Sequence, residues 1–302
     1  MIGNGKSITV KRINIYLFLV LGFYYACGII AFVLPNESGK KVFSFLAVIF
    51  TAIPLLATVI TRKITKDNSS WNLNLKVWKD WKMWLFSAFI PAVSILLGAI
   101  LFYCIFPNDL DYSGKYLIQH FSGYGVPSVL NLTIPSMLKM GIVIVIISAI
   151  ALPIHLLELG EEVGWRGYLL PMLCERMTVR KAVILNGALW GTAHAPLIYF
   201  GFNYGLDYKG APFTGILMMI VVCVVLGIFT SYVTIKTGNC MYASIIHGSV
   251  NVIGETAVFV SLSTQSTLLG PNPTGIIGIS VLIMGSIILF VQMKNLNFEK
   301  HA

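Results

Sequence analysis

Apolar residues gather in long runs along this chain, and short polar stretches separate the runs. A run of about 20 apolar residues is long enough to cross a lipid bilayer as an α-helix. The pattern therefore predicts an all-α fold, a polytopic bundle of about eight transmembrane helices. Their predicted positions are roughly 13–34, 42–61, 83–106, 137–157, 181–200, 212–235, 240–261 and 274–293.

The composition supports a membrane protein. Of the 302 residues, 57% are hydrophobic and 11% are charged, and the mean hydropathy is +0.82. Soluble domains are about 45–50% apolar and about 25% charged. The composition excludes a disordered chain, a disulfide scaffold and a soluble nucleic-acid binder. We therefore expect a multi-pass protein of the cell membrane that is in contact with the lipid bilayer and does not bind nucleic acid.

The positive charges indicate an orientation. Lysine and arginine concentrate in the cytoplasmic segments of membrane proteins. If the N-terminus is inside, 16 of the 21 basic residues fall in inside segments, among them 62–82 and 236–239. The segments 107–136 and 201–211 then lie outside. The split predicts that both termini are cytoplasmic, and the even number of helices agrees with it.

Polar residues stand out at the inner end of the fourth predicted helix, where Glu158, Glu161, Glu162 and Arg166 occur. In a helix, Glu162 and Arg166 are four residues apart and can form an ion pair. Glu161 is turned by about 100° from Glu162, so the two carboxylates cannot point at one partner. We expect Arg166 to hold Glu162 and Glu161 to face a cavity. The alternative is a cytoplasmic loop with solvated charges.

Two further groups of polar residues lie within apolar runs. His194 is in the fifth predicted helix, just before Pro196, which is expected to kink that helix. His247, Asn251 and Glu255 follow one another at four-residue steps along one face of the seventh. Ionisable groups at membrane depth usually mark function. The alternative is that they only form hydrogen bonds between helices.

Three motifs contain most of these residues, in order. They are Glu-Glu-x-x-x-Arg at 161–166, an aromatic residue followed four positions later by His at 190–194, and His-x-x-x-Asn at 247–251. Together they resemble the CPBP family of intramembrane proteases, also called the CAAX-protease and bacteriocin-processing (Abi) family. Trp190 stands where many members have Phe. Residues 1–130 form N-terminal transmembrane helices without a motif, whereas 131–302 resemble the catalytic core; together they form a single membrane domain.

The resemblance implies an intramembrane endopeptidase, a hydrolase, and a role for each motif residue. Glu161 would be the general base that activates water, and His194 would help to orient that water. His247 and Asn251 would stabilise the oxyanion, with Glu162 and Arg166 as the supporting pair.

The family is often labelled as metalloproteases, and a zinc site formed by Glu161, His194 and His247 is the alternative that stays open. Asn251 is a poor zinc ligand and a good oxyanion donor, so the residues favour a reaction without a cofactor.

The resemblance offers two substrate classes, prenylated proteins that end in CAAX, and peptides of the leader, signal or bacteriocin type. Both are hydrophobic or lipid-modified. A non-catalytic immunity factor or scaffold of the same family is the main alternative, and a proton-coupled transporter is another use of buried charges.

The four candidate catalytic residues must converge, yet straight helices place them at different depths. Glu161 would begin near the cytoplasmic face, whereas His194 would be roughly 20 Å away from that face. Either the helix that carries Glu161 continues inward, or the fifth helix begins near 185 and 172–184 lie on the membrane surface. We expect the second arrangement, with a cone-shaped site that is open to the cytoplasm.

Overall fold

The structure is a computed structural model that describes residues 2–33, 49–121, 130–254, 256–296 and 298. Within these ranges the chain is helical and has no strand beyond an isolated bridge between Leu110 and Ser261. The predicted all-α fold is confirmed. The helices are α1 (Ile2–Val33), α2 (Ile53–Thr65), α3 (Trp81–Ile105), α4 (Lys115–Phe121), α5 (Ile134–Ile150), α6 (Leu152–Glu162), a π-helix (Val163–Leu169), α7 (Leu170–Cys174), α8 (Val179–Ala193), α9 (Ala195–Tyr199), α10 (Phe213–Thr237), α11 (Met241–Gly254) and α12 (Ser280–Gln292).

Several of these helices are able to span a membrane. In the described part of the chain, four are long and apolar enough, and there are five if a bent pair counts as one span. The four lie at Ser7–Ile30, Val77–Ile105, Phe213–Thr237 and Met241–Val260. The helices α2 and α12 are shorter, and residues 42–48 of the second predicted helix lie outside the described ranges. The prediction of a membrane protein is confirmed, whereas the expected number of eight membrane-spanning helices stays a prediction.

The bent pair consists of α5 and the helical stretch Leu152–Cys174, at 61° to each other. Pro153 lies in the first turn of α6, where its missing N–H ends the hydrogen-bond ladder of α5. The carbonyl groups at the end of α5 then need other partners. The Ser148 carbonyl oxygen accepts from His155 Nε2 at 2.9 Å and from Ser249 Oγ at 3.2 Å. Side chains of α6 and α11 therefore hold the bend.

The bent pair corrects two expectations about depth. The helix that carries Glu161 does not end near 157 but continues through the π-helix to Cys174. The next helix, α8, begins at Val179, so the expected start near 185 is wrong, while a position of 172–184 on the membrane surface stays a prediction. The physical reason is that the charges at 158–166 are paired inside the protein, so they do not end the helix.

Glycines bring α8 and α10 into close contact. A Cβ atom on Gly187 would lie 2.8 Å from Cα of Val224, and one on Gly191 would lie 2.5 Å from Cα of Ile220. Both distances are too short for any side chain, so the two backbones touch. Small residues permit this approach between membrane helices. The contact fixes the position of α8, which carries the second motif.

The polar segments meet at two opposite ends of the bundle. The basic end comprises 62–80, 166–181, 236–240 and 293–296. It is joined by hydrogen bonds such as Asn72 Nδ2 to the Gly167 oxygen and Asn239 Nδ2 to the Asn74 oxygen, both at 2.8 Å.

The loop end comprises 107–112, 201–211 and 256–279. There Ser261 Oγ donates to Asp109 Oδ2 at 2.6 Å, and the Tyr204 hydroxyl donates to the Thr274 oxygen at 3.0 Å. The segments predicted to share a side of the membrane are thus together, while the side that each end faces stays a prediction.

Candidate active site

The first motif lies where α6 changes into the π-helix Val163–Leu169. Segments of π-helix are rare in proteins, and those that occur are often found at functional sites. Arg166 Nη1 is 3.1 Å from Glu162 Oε1, and both side chains are fully buried. The ion pair that the spacing predicts is therefore present. His247 Nδ1 lies 3.0 Å from the same Glu162 oxygen, so this carboxylate joins the first motif to the third.

Glu161 has a different partner. Its Oε2 atom accepts a hydrogen bond of 2.7 Å from Nε1 of Trp190, and the residue is only 5% exposed. The guanidinium carbon of Arg166 lies 4.2 Å from the centre of a Trp190 ring, which is a cation–π distance. Trp190 thus ties the second motif to Glu161 and Arg166 of the first. A Phe at this position has no N–H and could not make the bond to Glu161.

His194 ends α8. Its Nδ1 atom is 2.9 Å from the backbone oxygen of Trp190, and its ring centre is 5.8 Å from that of Trp190. A carbonyl oxygen only accepts, so Nδ1 carries the hydrogen. In the neutral ring Nε2 then has a lone pair that can accept a hydrogen bond. This is the tautomer that a water-orienting histidine requires.

The third motif meets a carboxylate that no motif contains. Asn251 Nδ2 donates to Glu158 Oε1 at 3.0 Å, and His247 Nε2 lies 3.6 Å from Glu158 Oε2. Glu158 is buried and precedes Glu161 by three residues, so both lie on one side of α6. The three-residue spacing between Glu158 and Glu161 was the only feature of the sequence that pointed to the contact between Glu158 and Asn251. Glu255, the last residue of the predicted polar stripe, lies outside the described residues.

A cavity of about 280 Å³ lies beside this cluster. Trp190, His247 and Asn251 form part of its wall, whereas Glu161 and His194 do not line it and reach it only through their contacts with Trp190. The remaining wall is mostly apolar and comes from α10, α11, α12 and the loop end. It consists of Phe202, Asn203, Met219, Val222, Cys223, Leu226, Val250, Gly254, Asn272, Pro273, Thr274, Ile279 and Leu282.

The position of the cavity limits how the site and the chain can be oriented together, and the expected cytoplasmic cone stays a prediction. The cavity lies towards the loop end, since Phe202, Asn203 and 272–274 border it. The charge split predicts that 201–211 lie outside the cell. A cytoplasmic N-terminus and a site open to the cytoplasm therefore cannot both hold. The cytoplasmic cone was expected because the sequence pattern puts Glu161 at the inner end of its helix.

The donor and acceptor groups of the cluster suit the hydrolysis of an amide. A buried carboxylate and a neutral imidazole are able to hold and deprotonate a water molecule. One N–H of the Asn251 amide is taken by Glu158, and the second remains for an oxyanion. His247 Nε2 lies 3.6 Å from Glu158 Oε2, beyond hydrogen-bond distance, so in the protonated ring it adds a second donor at the cavity wall.

Glu161, His194 and His247, the residues of the alternative zinc site, are each bonded to other partners. Trp190 occupies one oxygen of Glu161, and carboxylates face both ring nitrogens of His247. Across the described part of the chain, no three His, Cys, Asp or Glu side chains are grouped as a metal site requires. As arranged here, Glu161, His194 and His247 do not fit a zinc ion.

Comparisons with known proteins agree with the motifs. Residues 133–253, which include all three motifs, match the family described as Type II CAAX prenyl endopeptidase Rce1-like. CAAX prenyl protease 2 of Methanococcus maripaludis is 30% identical over 148 residues, which cover 46% of this chain and 48% of the relative. The chain thus spans about half the length of the curated relative that it matches. These matches confirm the resemblance to the CPBP/CAAX protease family.

Proposed function

We propose that this chain is an intramembrane endopeptidase that hydrolyses a peptide bond with water activated by Glu161. One observation carries the proposal: three motifs from three parts of the chain meet around Trp190 and Glu162 beside one cavity. Polar residues that only formed hydrogen bonds between helices would need partners. They would need neither an adjacent cavity nor a spare amide N–H at the cavity wall.

In the proposed reaction, Glu161 removes a proton from water that His194 orients. The water oxygen attacks the carbonyl carbon of the peptide bond, and the carbonyl oxygen becomes an oxyanion. The free N–H of Asn251 and, in the protonated ring, the Nε2–H of His247 stabilise this oxyanion. Glu161 then delivers its proton to the leaving nitrogen as the C–N bond breaks. Arg166 pairs with Glu162, and Glu162 holds His247 in place.

The substrate is a hydrophobic or lipid-modified peptide, of the prenylated CAAX type or of the leader, signal or bacteriocin type. The aliphatic wall of the cavity, formed by residues such as Met219, Val222 and Leu226, suits apolar side chains. The M. maripaludis protein is called a prenyl protease, which makes the prenylated class the first to test.

A processing assay in liposomes tests the proposed function. The purified protein is incubated with a farnesylated peptide that ends in CAAX, with the same peptide unprenylated, and with an apolar leader-type peptide. Mass spectrometry then identifies the products. We expect hydrolysis of one internal bond in at least one peptide, with the same rate after treatment with a chelator.

Two results would change the account. If no peptide is cleaved, the non-catalytic scaffold is the better explanation. If a chelator stops cleavage and zinc restores it, the reaction depends on the metal, and the side chains described above must rearrange to bind it.

A further inference from the structure

Exposed lysines and tryptophans occur together between the last turn of α2 and the first turn of α3. The tryptophans Trp71, Trp78 and Trp81 are 41%, 68% and 59% exposed. Clustered apolar groups of this size on a surface usually mark an interaction site, and the proposed reaction uses none of these three. With the exposed lysines around them they form the tryptophan–lysine patch. Its members are Lys63, Lys66, Trp71, Lys76, Trp78, Lys79, Trp81 and Lys82.

The patch lies at the level of the lipid headgroups. The stretch Val77–Ile105 is long and apolar enough to span the membrane. Its first two turns contain half of the patch, namely Trp78, Lys79, Trp81 and Lys82. The end of a spanning helix lies at the boundary between hydrocarbon and water, whichever side of the membrane that end faces. Tryptophan is enriched at this boundary, and lysine side chains extend their ammonium groups towards it.

The lysines of the patch have no acidic partners. In the described part of the chain, none of the five has a carboxylate oxygen within 4.0 Å. Asp67, next to Lys66, is buried and pairs with Arg12 at 3.2 Å. Asp80 is exposed, but it caps α3 by accepting from the Met83 N–H at 3.1 Å. The patch thus has an excess of positive charge, which complements a surface of phosphate groups.

Hydrogen bonds attach the same segment to two elements that carry motif residues. The Val77 oxygen accepts from the Tyr242 hydroxyl at 2.8 Å, and Tyr242 lies on α11, which carries the third motif. Asn72 Nδ2 donates to the oxygen of Gly167, in the π-helix that carries part of the first motif. Holding the patch against the headgroups would therefore also hold these two elements in place.

From these observations we propose that the tryptophan–lysine patch binds the headgroups of anionic phospholipids, and that this binding stabilises the fold around the site. The lysine ammonium groups contact the phosphates, and the indole rings lie at the boundary with the acyl chains. A soluble acidic protein would complement the lysines, but it would not account for tryptophans at membrane level. The inference goes beyond the proposed function, since lipid binding requires no hydrolysis.

Native mass spectrometry of the purified full chain tests the proposal. The protein is equilibrated with equal amounts of phosphatidylglycerol, which is anionic, and phosphatidylcholine, which has no net charge, and the lipids that stay bound are counted. We expect the wild type to retain several-fold more phosphatidylglycerol. The triple variant with Lys76→Gln, Lys79→Gln and Lys82→Gln should retain the two lipids in nearly equal amounts.

A second triple variant is the matched control. Lys115→Gln, Lys139→Gln and Lys209→Gln remove the same charge at exposed positions outside the patch, so this variant should keep the wild-type ratio. The same ratio in both triple variants, or no preference in the wild type, would overturn the proposal. The wild type alone gives a further test, because salt screens exposed charges and the preference must therefore fall at high salt.

The midpoint of thermal unfolding tests the effect on the fold. In nanodiscs that contain phosphatidylglycerol, the wild type and the control variant should unfold at a higher temperature than in nanodiscs of phosphatidylcholine, and the patch variant should show a smaller rise. An equal rise for the two variants would place the stabilising lipid elsewhere on the molecule and contradict the proposal. Neither measurement involves cleavage, so both outcomes are independent of whether the chain is a peptidase.

Discussion

Three carboxylates within five residues of one helix have three different sets of partners. Glu158 accepts from Asn251, Glu161 from Trp190, and Glu162 pairs with Arg166. Helical spacing alone predicted the pair between Glu162 and Arg166 and the separate direction of Glu161. It could not predict the partner of Glu158, because that contact depends on how α11 packs against α6.

The contact between Glu158 and Asn251 predicts that Glu158 is a positioning residue. Glu158→Ala frees the Asn251 amide to rotate, and we expect kcat to fall about 10- to 100-fold with little change in KM, since a hydrogen bond to a charged group contributes about 1.5–3 kcal/mol. Glu158→Gln keeps an acceptor oxygen and should restore much of kcat.

A double-mutant cycle measures whether the two residues act together. If Glu158 acts through Asn251, Glu158→Ala adds nothing to the loss caused by Asn251→Ala. Fully additive losses in kcat would show that Glu158 has a separate effect. Asp111→Ala, which removes a buried carboxylate outside the site, is the control for lost stability.

At the scale of elements, the helical stretch from Leu152 to Cys174 is longer than the apolar run predicts. A run of four charged residues between 158 and 166 is typical of a loop at a membrane surface. The structure neutralises these charges through partners on α8 and α11, so the backbone stays helical. Such pairing depends on helices far apart in the sequence, so a local pattern cannot show it.

The close contact between α8 and α10 predicts that Gly187→Ala is destabilising. The new Cβ would lie 2.8 Å from Cα of Val224 and 2.9 Å from the Cys223 oxygen, so the two backbones must separate. Forced overpacking costs about 1–3 kcal/mol. We expect a lower midpoint of thermal unfolding in detergent, and lower activity because α8 carries Trp190 and His194.

Gly22→Ala is the matched control for this substitution. A Cβ at Gly22 on α1 meets no atom within 4 Å, and alanine favours a helix. Its midpoint should equal or exceed that of the wild type. Equal midpoints for the two variants would show that α8 and α10 are less tightly packed than described.

For the whole molecule, the alternation of apolar and basic segments predicted which segments lie together at each end of the bundle. Hydrogen bonds between those segments show that they do lie together. The all-α membrane fold and the family could also be inferred from the sequence, because apolar runs and short motifs are local patterns. The position of the cavity was not predictable, because it depends on how the loops at 201–211 and 256–279 pack against α10, α11 and α12.

The acid stability of the molecule should depend on Asp67, which joins α1, the basic-end loop and the π-helix. Burial raises the pKa of this carboxyl, but hydrogen bonds from Ser69 and Tyr168 and the Arg12 charge lower it more, so the net pKa is below its ordinary value. A carboxyl whose pKa is lower in the folded state stabilises the fold at pH values above its pKa in the unfolded chain, which is about 3.9.

That stabilisation is lost as the pH falls from about 4 through the lower folded pKa. Asp67→Asn should therefore reduce the unfolding midpoint at pH 7 and lessen its decline below pH 4. Asp207→Asn, at an exposed position of the loop end, should leave the curve unchanged. Identical acid profiles for wild type and Asp67→Asn would refute this role.

Glu161 is the residue on which the proposed peptidase reaction depends most. The most direct measurement is the rate of peptide cleavage in proteoliposomes by Glu161→Gln, compared with wild type and with Glu175→Gln, which makes the same chemical change outside the site. We predict that Glu161→Gln folds normally and cleaves at least 10²- to 10⁴-fold more slowly, the usual contribution of a general base, while Glu175→Gln matches wild type. Cleavage by Glu161→Gln within a few-fold of the wild-type rate would contradict the account.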